Sequence, residues 1–166
     1  FNKKYGDTFI VPEPLITKTG TKIMDLQDPL HKMSKSSENQ KGVIRLLDDE
    51  KTIRKKIMSA TTDSEMRVIF DPENKPGISN LLTIYSSLTN TDIKETEAKF
   101  KDSNYGTLKK EVADVAVNEL SKIQAKYNEI MNSNLVDEVL EKGKKITNDI
   151  ASKKYEEVRN KVGLKK

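Results

Sequence analysis

The sequence predicts a mainly α-helical fold, and three observations carry that expectation. Apolar residues recur every three to five positions between residues 104 and 131 of the 166-residue chain, and a second apolar face follows almost to its end, the pattern that keeps one helix face apolar. Only seven Gly and five Pro interrupt a chain that is 34% charged and 34% apolar, a composition rich in helix formers. The residues that break regular structure gather in the first third.

Taken in order, Phe9-Ile10-Val11 is a short apolar run stopped by Pro12-Glu13-Pro14. Leu15-Ile16 and Ile23-Met24 flank Thr19-Gly20 and read as two short strands about a turn. Asp28-Pro29 then opens a polar stretch, His31 to Lys41, with Ser34, Ser36, Ser37 and Asn39 but no periodic apolar residues, which is a loop. Asp48 or Asp49 caps a helix through Met58, with Ile53 and Ile57 on one face and Lys55 and Lys56 in its final turns. Residues 71–77, with Pro72 and Pro76, form a second loop before an apolar helix over 78–88. Thr91 or Asp92 opens a short helix ending near Lys101.

Two long helices follow. Leu108, Val112, Val115, Leu120, Ile123, Tyr127 and Ile130 mark one face between Asn104 and Met131. Ser133-Asn134 breaks the run, and Leu135, Val139, Ile146, Ile150, Val158 and Val162 mark the next face up to Gly163. The pair is expected as an antiparallel hairpin packed on the earlier helices. Gly143 inside the second helix costs about 1 kcal/mol relative to Ala unless it permits close packing.

Composition excludes several chemistries. There is no Cys and a single His, His31, so neither a cysteine-built metal centre nor a disulfide framework is available, and a Ser–His–Asp triad is restricted to the surroundings of His31. No run approaches the roughly 18–20 apolar residues of a membrane span, and Phe1-Asn2-Lys3-Lys4-Tyr5 is not a signal peptide. A cytoplasmic protein is the expectation. Phe1 stands where a Met is usual, within what reads as mid-protein sequence, so either processing or a start inside a longer protein accounts for it.

The net charge of +4 is unevenly spread: residues 1–35 carry +2, residues 141–166 carry +5, and the middle is net negative. Basic ends attract phosphate, or they form solvated helix faces with paired charges. Only Tyr155 interleaves with the C-terminal lysines, so a stacking platform for single strands is not indicated.

The loop residues Lys32-Met33-Ser34-Lys35-Ser36 place two lysines three positions apart with hydroxyls between them. Such a segment can fold over a polyphosphate, with mobile cations and hydrogen-bond donors that act most strongly as charge builds in a transition state. It can equally be a solvated surface loop. Ile23 and Met33 read as ordinary core residues flanking it. Asp25 and Asp28 are isolated and read as turn or cap residues, and no acidic cluster suggests a metal site.

The order Lys-Met-Ser-Lys-Ser is one of the two motifs of class I aminoacyl-tRNA synthetases, a Rossmann-fold family. Gly20-x-Lys22-Ile23-Met24-x-Leu26-x-Asp28-Pro29 before it resembles the bacterial tryptophanyl-tRNA synthetase family. So do Leu46-Leu47-Asp48-Asp49, Thr52-Ile53, Lys55-Lys56-Ile57, Ala60-x-Thr62-Asp63-Ser64-Glu65 and the run Lys75-Pro76-Gly77-Ile78-Ser79-Asn80-Leu81-Leu82 after it. Tyr105-Gly106 and Ile123-Gln124-x-Lys126-Tyr127 continue the likeness over essentially the whole chain.

The resemblance implies ATP, accompanied by Mg²⁺, as substrate. Lys32 and Lys35 match the lysines that stabilise departing pyrophosphate, Lys35 foremost, and Ser34 and Ser36 match the phosphate-side hydroxyls. Met33 matches the residue whose backbone contacts adenine, with Ile23 across that pocket; His31 matches no required residue and reads as a bystander. Tryptophan and tRNA(Trp) are the implied partners, and a homodimer the implied assembly. The implied fold is the end of a Rossmann-like α/β catalytic domain over 1–47, with its last strand and loop elements, and an α-helical domain over 48–166 that includes the tRNA anticodon-binding region. The family also needs a first motif of the His-Ile-Gly-His type. One histidine cannot supply it, so the chain is expected to be a C-terminal half, inactive by itself. Two alternatives stand beside this reading: a stand-alone helical RNA-binding module without catalysis, and the tyrosine-specific sibling, against which the Ile-Met-x-Leu-x-Asp-Pro and Lys-Pro-Gly-Ile-Ser runs argue.

Overall fold

The computed structural model describes residues 1–16 and 22–164. It is mainly helical, as the spacing predicts. Among the described residues six α-helices follow in chain order, α1 (Asn2–Tyr5), α2 (Glu50–Met58), α3 (Pro76–Thr89), α4 (Ile93–Phe100), α5 (Tyr105–Met131) and α6 (Leu135–Lys161), with one 3-10 turn at Gln40–Gly42. Among the described residues no strand forms, and the sole β-type pairing is an isolated antiparallel bridge between Met24 and Lys32. The turn expected at Thr19-Gly20 lies outside the described residues. Leu15 is almost fully exposed, and Met24 pairs forward with Lys32.

The helix caps follow sequence chemistry. Asp49 accepts a hydrogen bond from the Thr52 N–H at 2.7 Å and Asp92 from the Lys94 N–H at 2.8 Å, which starts α2 and α4. α3 begins at Pro76, two residues earlier than the apolar pattern indicates. Proline is favoured in a first turn because its missing N–H has no partner there, so a residue read as a breaker is an initiator. Gly77 is needed beside it: a Cβ at that position would lie 2.1 Å from the Thr61 carbonyl oxygen.

The chain divides into two compact units. The unit spanning 16–126 holds the hydrophobic core. Ile53 and Ile57 of α2, Ile78, Leu81 and Leu82 of α3, Phe100 of α4 and Leu108 and Val112 of α5 are buried around Leu26. α3 and α4 pack together, with the Tyr85 and Phe100 rings edge to face at 5.0 Å. A buried polar cluster ties the 60–70 segment to both ends of this core. Lys75 Nζ lies 2.8 Å from both Asp63 Oδ1 and Glu65 Oε2, and Tyr105 Oη lies 2.6 Å from the same Asp63 oxygen. Burial pushes the Asp63 carboxyl up, but hydrogen bonds from Lys75, Tyr105 and the Glu65 N–H outweigh it and hold the pKa at about 2. Burial likewise opposes the charge on Lys75, and its carboxylate partners overcome this and raise its pKa.

The other unit comprises 1–15 and 127–166. Here α1, which no sequence signal announced, is closed by Asn2, whose side chain donates to the Phe9 carbonyl and accepts from the Thr8 and Phe9 N–H groups. α6 forms as expected and ends at Gly163 with φ +83°. It buries none of its residues fully: Leu140 and Ile150 stay more than 60% exposed, while Val158 is partly buried. Polar contacts to the N-terminal segment hold it, with Lys154 Nζ on the Thr8 carbonyl at 2.6 Å and Lys161 Nζ on the Asp7 carbonyl at 2.7 Å. A Cβ at Gly143 would meet nothing within 4 Å. Gly143→Ala is therefore expected to stabilise α6 by about 0.5–1 kcal/mol, read as a higher thermal midpoint by far-ultraviolet circular dichroism.

Candidate functional site

The Lys32–Ser36 loop hangs from a tight reversal whose geometry follows from local sequence. The buried carboxylate of Asp25 accepts from the Gln27 and Asp28 N–H groups at 2.8 and 3.2 Å, an Asx-type turn. The chain then doubles back through Pro29 and Leu30, and the His31 N–H donates to the Asp28 carbonyl at 3.0 Å. Asp25 N–H to His31 carbonyl (2.9 Å) and Met33 N–H to Ile23 carbonyl (3.0 Å) close the reversal, placing Met24 opposite Lys32. The turn roles expected of Asp25 and Asp28 are those the structure gives them. Asp28 Oδ2 also lies 2.7 Å from His31 Nδ1.

The loop itself is bound mainly to itself. Ser34 and Ser36 hydroxyls lie 3.0 Å apart, the Ser37 N–H donates to the Ser34 carbonyl at 3.1 Å, and Asn39 caps the 3-10 turn by accepting from the Lys41 N–H. Lys32 and Lys35 are both exposed, and among the described residues neither ammonium makes an ion pair or hydrogen bond. An open cleft of about 520 Å³ is lined by Lys32, Ser34, Ser36, His31, Asp25 and Asn39 among others. Five of the six residues singled out by sequence thus divide into two groups. Lys32, Ser34 and Ser36 share this cleft, while Ile23 and Met33 adjoin through their backbones and pack, partly buried, on the core edge. Lys35 stands apart from the cleft lining. No group of three acidic or histidine side chains that could hold a metal occurs among the described residues.

Residues to which the sequence assigned no role at this loop anchor its far end. The Leu26 N–H donates to the Gly42 carbonyl at 2.9 Å. Only glycine fits at position 42, because a Cβ there would lie 1.7 Å from Asp25 Oδ1. Lys56 reaches the Val43 carbonyl at 2.7 Å and Asp48 at 2.6 Å, and Gln124 of α5 donates to the Leu46 and Asp48 carbonyls at 2.8 and 2.9 Å. These partners are 8 to 78 residues away in sequence, and no local pattern reveals them.

Comparison with known proteins gives the family of the chain. A family model described as tRNA synthetases class I (W and Y) matches residues 1–122. The chain belongs to the class I tRNA synthetases of this W and Y family. The tryptophan–tRNA ligase of Bacillus subtilis is 52% identical over 164 residues, covering 99% of this chain and 50% of that protein. A crystal structure of tryptophanyl-tRNA synthetase from Mycoplasma pneumoniae superposes with a TM-score of 0.89 at 34% identity, over 99% of this chain and 50% of that one. That from Campylobacter jejuni complexed with ADP and tryptophan gives 0.65 at 25% identity, over 98% and 50%. The chain thus spans about half the length of the class I tRNA synthetases it matches. No helix among the described residues is long and apolar enough to cross a membrane.

Proposed function

We propose that the chain is the C-terminal half of a tryptophan–tRNA ligase, supplying the ATP-side loop and the helical tRNA-binding region. The single observation that carries this reading is the uncommitted Lys32 ammonium beside the Ser34 and Ser36 hydroxyls in one cleft, on a reversal anchored to the core, with a second uncommitted ammonium, Lys35, on the same loop. In the whole enzyme the tryptophan carboxylate attacks the α-phosphorus of ATP, forming tryptophanyl-adenylate and releasing pyrophosphate; a terminal hydroxyl of tRNA(Trp) then attacks the adenylate carbonyl, taking the tryptophanyl group and releasing AMP. Lys32 and Lys35 neutralise the charge that builds on the departing pyrophosphate, which favours the transition state over the ground state. Ser34 and Ser36 donate hydrogen bonds to phosphate oxygens, and Ile23 and the Met33 backbone border the adenine. Mg²⁺ arrives with ATP. Residues 1–47 belong in this reading to the end of a Rossmann-like catalytic domain and 48–166 to the helical domain, with a cytoplasmic homodimer as the working form.

A tryptophan-dependent ATP–pyrophosphate exchange assay tests it. The full-length protein carrying this chain is expected to exchange, and the 166-residue chain alone to be silent, because its single histidine cannot furnish a His-Ile-Gly-His-type motif. Exchange by the isolated chain would contradict the half-enzyme reading. A full-length protein that binds tRNA but never exchanges would favour the stand-alone RNA-binding alternative.

A further inference from the structure

One side chain outside the loop holds its root. In the reversal, Met24 and Lys32 are directly opposed but not hydrogen-bonded to each other, since the cross-chain bonds are made by their neighbours, Asp25 with His31 and Met33 with Ile23. In an antiparallel pair of this kind the N–H and C=O of the opposed residue point outward, away from its partner. For Met24 both are met by one group. The Met24 N–H donates to Asn80 Oδ1 at 2.9 Å, and Asn80 Nδ2 donates to the Met24 carbonyl at 2.8 Å. Asn80 stands in the first turns of α3, 4% exposed, among Ile78, Leu81 and Leu82. Asparagine is a poor helix former, and a buried carboxamide is costly unless satisfied, so helix formation alone does not account for it. Its donor and acceptor together replace a missing neighbouring strand, a task that a carboxylate, which only accepts, cannot perform.

Resting on the ATP-loop reading above, we propose that Asn80 is a positioning residue for the nucleotide chemistry of that loop. By fixing Met24 it fixes the residue across from Lys32, and so the point from which Lys32 to Ser36 depart. Asn80 touches no reacting atom in this role; it acts through the backbone of Met24.

The test has two arms. In the 166-residue chain, amide hydrogen exchange is followed at Asp25 and Met33, the two cross-reversal donors, with α2 amides as reference. Asn80→Ala is expected to speed exchange at Asp25 and Met33 about tenfold or more relative to α2, in line with the loss of two buried hydrogen bonds. Asn80→Asp, nearly isosteric but without the donor, should do the same. Val112→Ala, a buried core change on α5, should raise all these amides together. In the full-length protein, both Asn80 variants should raise the KM for ATP about tenfold with the KM for tryptophan unchanged, while Val112→Ala leaves both constants alone at temperatures where it is folded. Acceleration at Asp25 and Met33 no greater than in Val112→Ala, wild-type behaviour of Asn80→Asp, or an unchanged KM for ATP would each overturn the role. A wild-type full-length protein without tryptophan-dependent exchange would overturn the functional reading and the catalytic consequence with it, and the amide arm would still decide whether the clamp exists.

Discussion

Lys35→Ala, introduced into the full-length protein, is expected to lower the rate of tryptophan activation about 10²–10³-fold, the scale seen when one charge-stabilising donor is removed from an active site. Tryptophan affinity should stay nearly unchanged. Lys35 is exposed and without a partner among the described residues, so its ammonium is free to meet phosphate. In the proposed role that contact strengthens as charge accumulates on the departing pyrophosphate, so its loss falls on the chemical step. Pre-steady-state adenylate formation with separate tryptophan titration checks this. Equal losses in the rate and in tryptophan affinity would contradict it, as would a drop in the unfolding midpoint, because no contact that stabilises the fold is removed.

The largest effect on stability is expected at Asp63. Asp63→Ala should destabilise the chain by about 2 kcal/mol, below the range for breaking a fully buried pair, because Asp63 is only partly buried and Lys75 keeps Glu65 as a second partner. Urea unfolding measures it. The pH dependence gives a second check. The folded carboxyl titrates at about 2, against an ordinary value of 3.8. A group with a depressed folded pKa contributes stability that is fully present above its ordinary value and is lost as pH falls through the folded one. Wild-type stability should therefore decline between about pH 4 and 2, and the variant should show a shallower decline over that window. Identical slopes would mean that Asp63 is not held as a paired carboxylate.

Sequence alone located what depends on neighbours a few residues apart. The Asp49 and Asp92 caps and the turn around Asp25 and Asp28 rest on contacts within about four positions, and each stands where its pattern puts it; on α5 the predicted face is buried at Leu108 and Val112 but exposed at Ile123 and Tyr127. The start of α3 shifted because Pro76 serves equally to end one segment and to begin another. α6 shows the opposite limit: a periodic face announces a helix but does not say whether anything covers it. Within the candidate site, Lys32, Ser34, Lys35 and Ser36 stand out in the sequence by their order, and their proposed roles rest on that order. Asn80, Gln124 and the Asp63–Lys75–Tyr105 cluster were not, because their partners lie 12 to 78 residues away and are joined only by folding.

The anchoring on both sides of the loop sets how much conformational freedom a ligand must remove. Up to Met33 the backbone is tied through the reversal, and from Gly42 onward it is tied to Leu26, Lys56 and Gln124. Any rearrangement is confined to the residues between, and ordering backbone costs about 1–2 kcal/mol per residue at 25 °C. Free ends would spread that entropic cost over a much longer stretch and weaken binding in proportion. Short, pinned and self-bonded, the segment leaves only the residues between Met33 and Gly42 to be ordered by any ligand, and in the proposed role that limits the entropic cost of each round of polyphosphate binding.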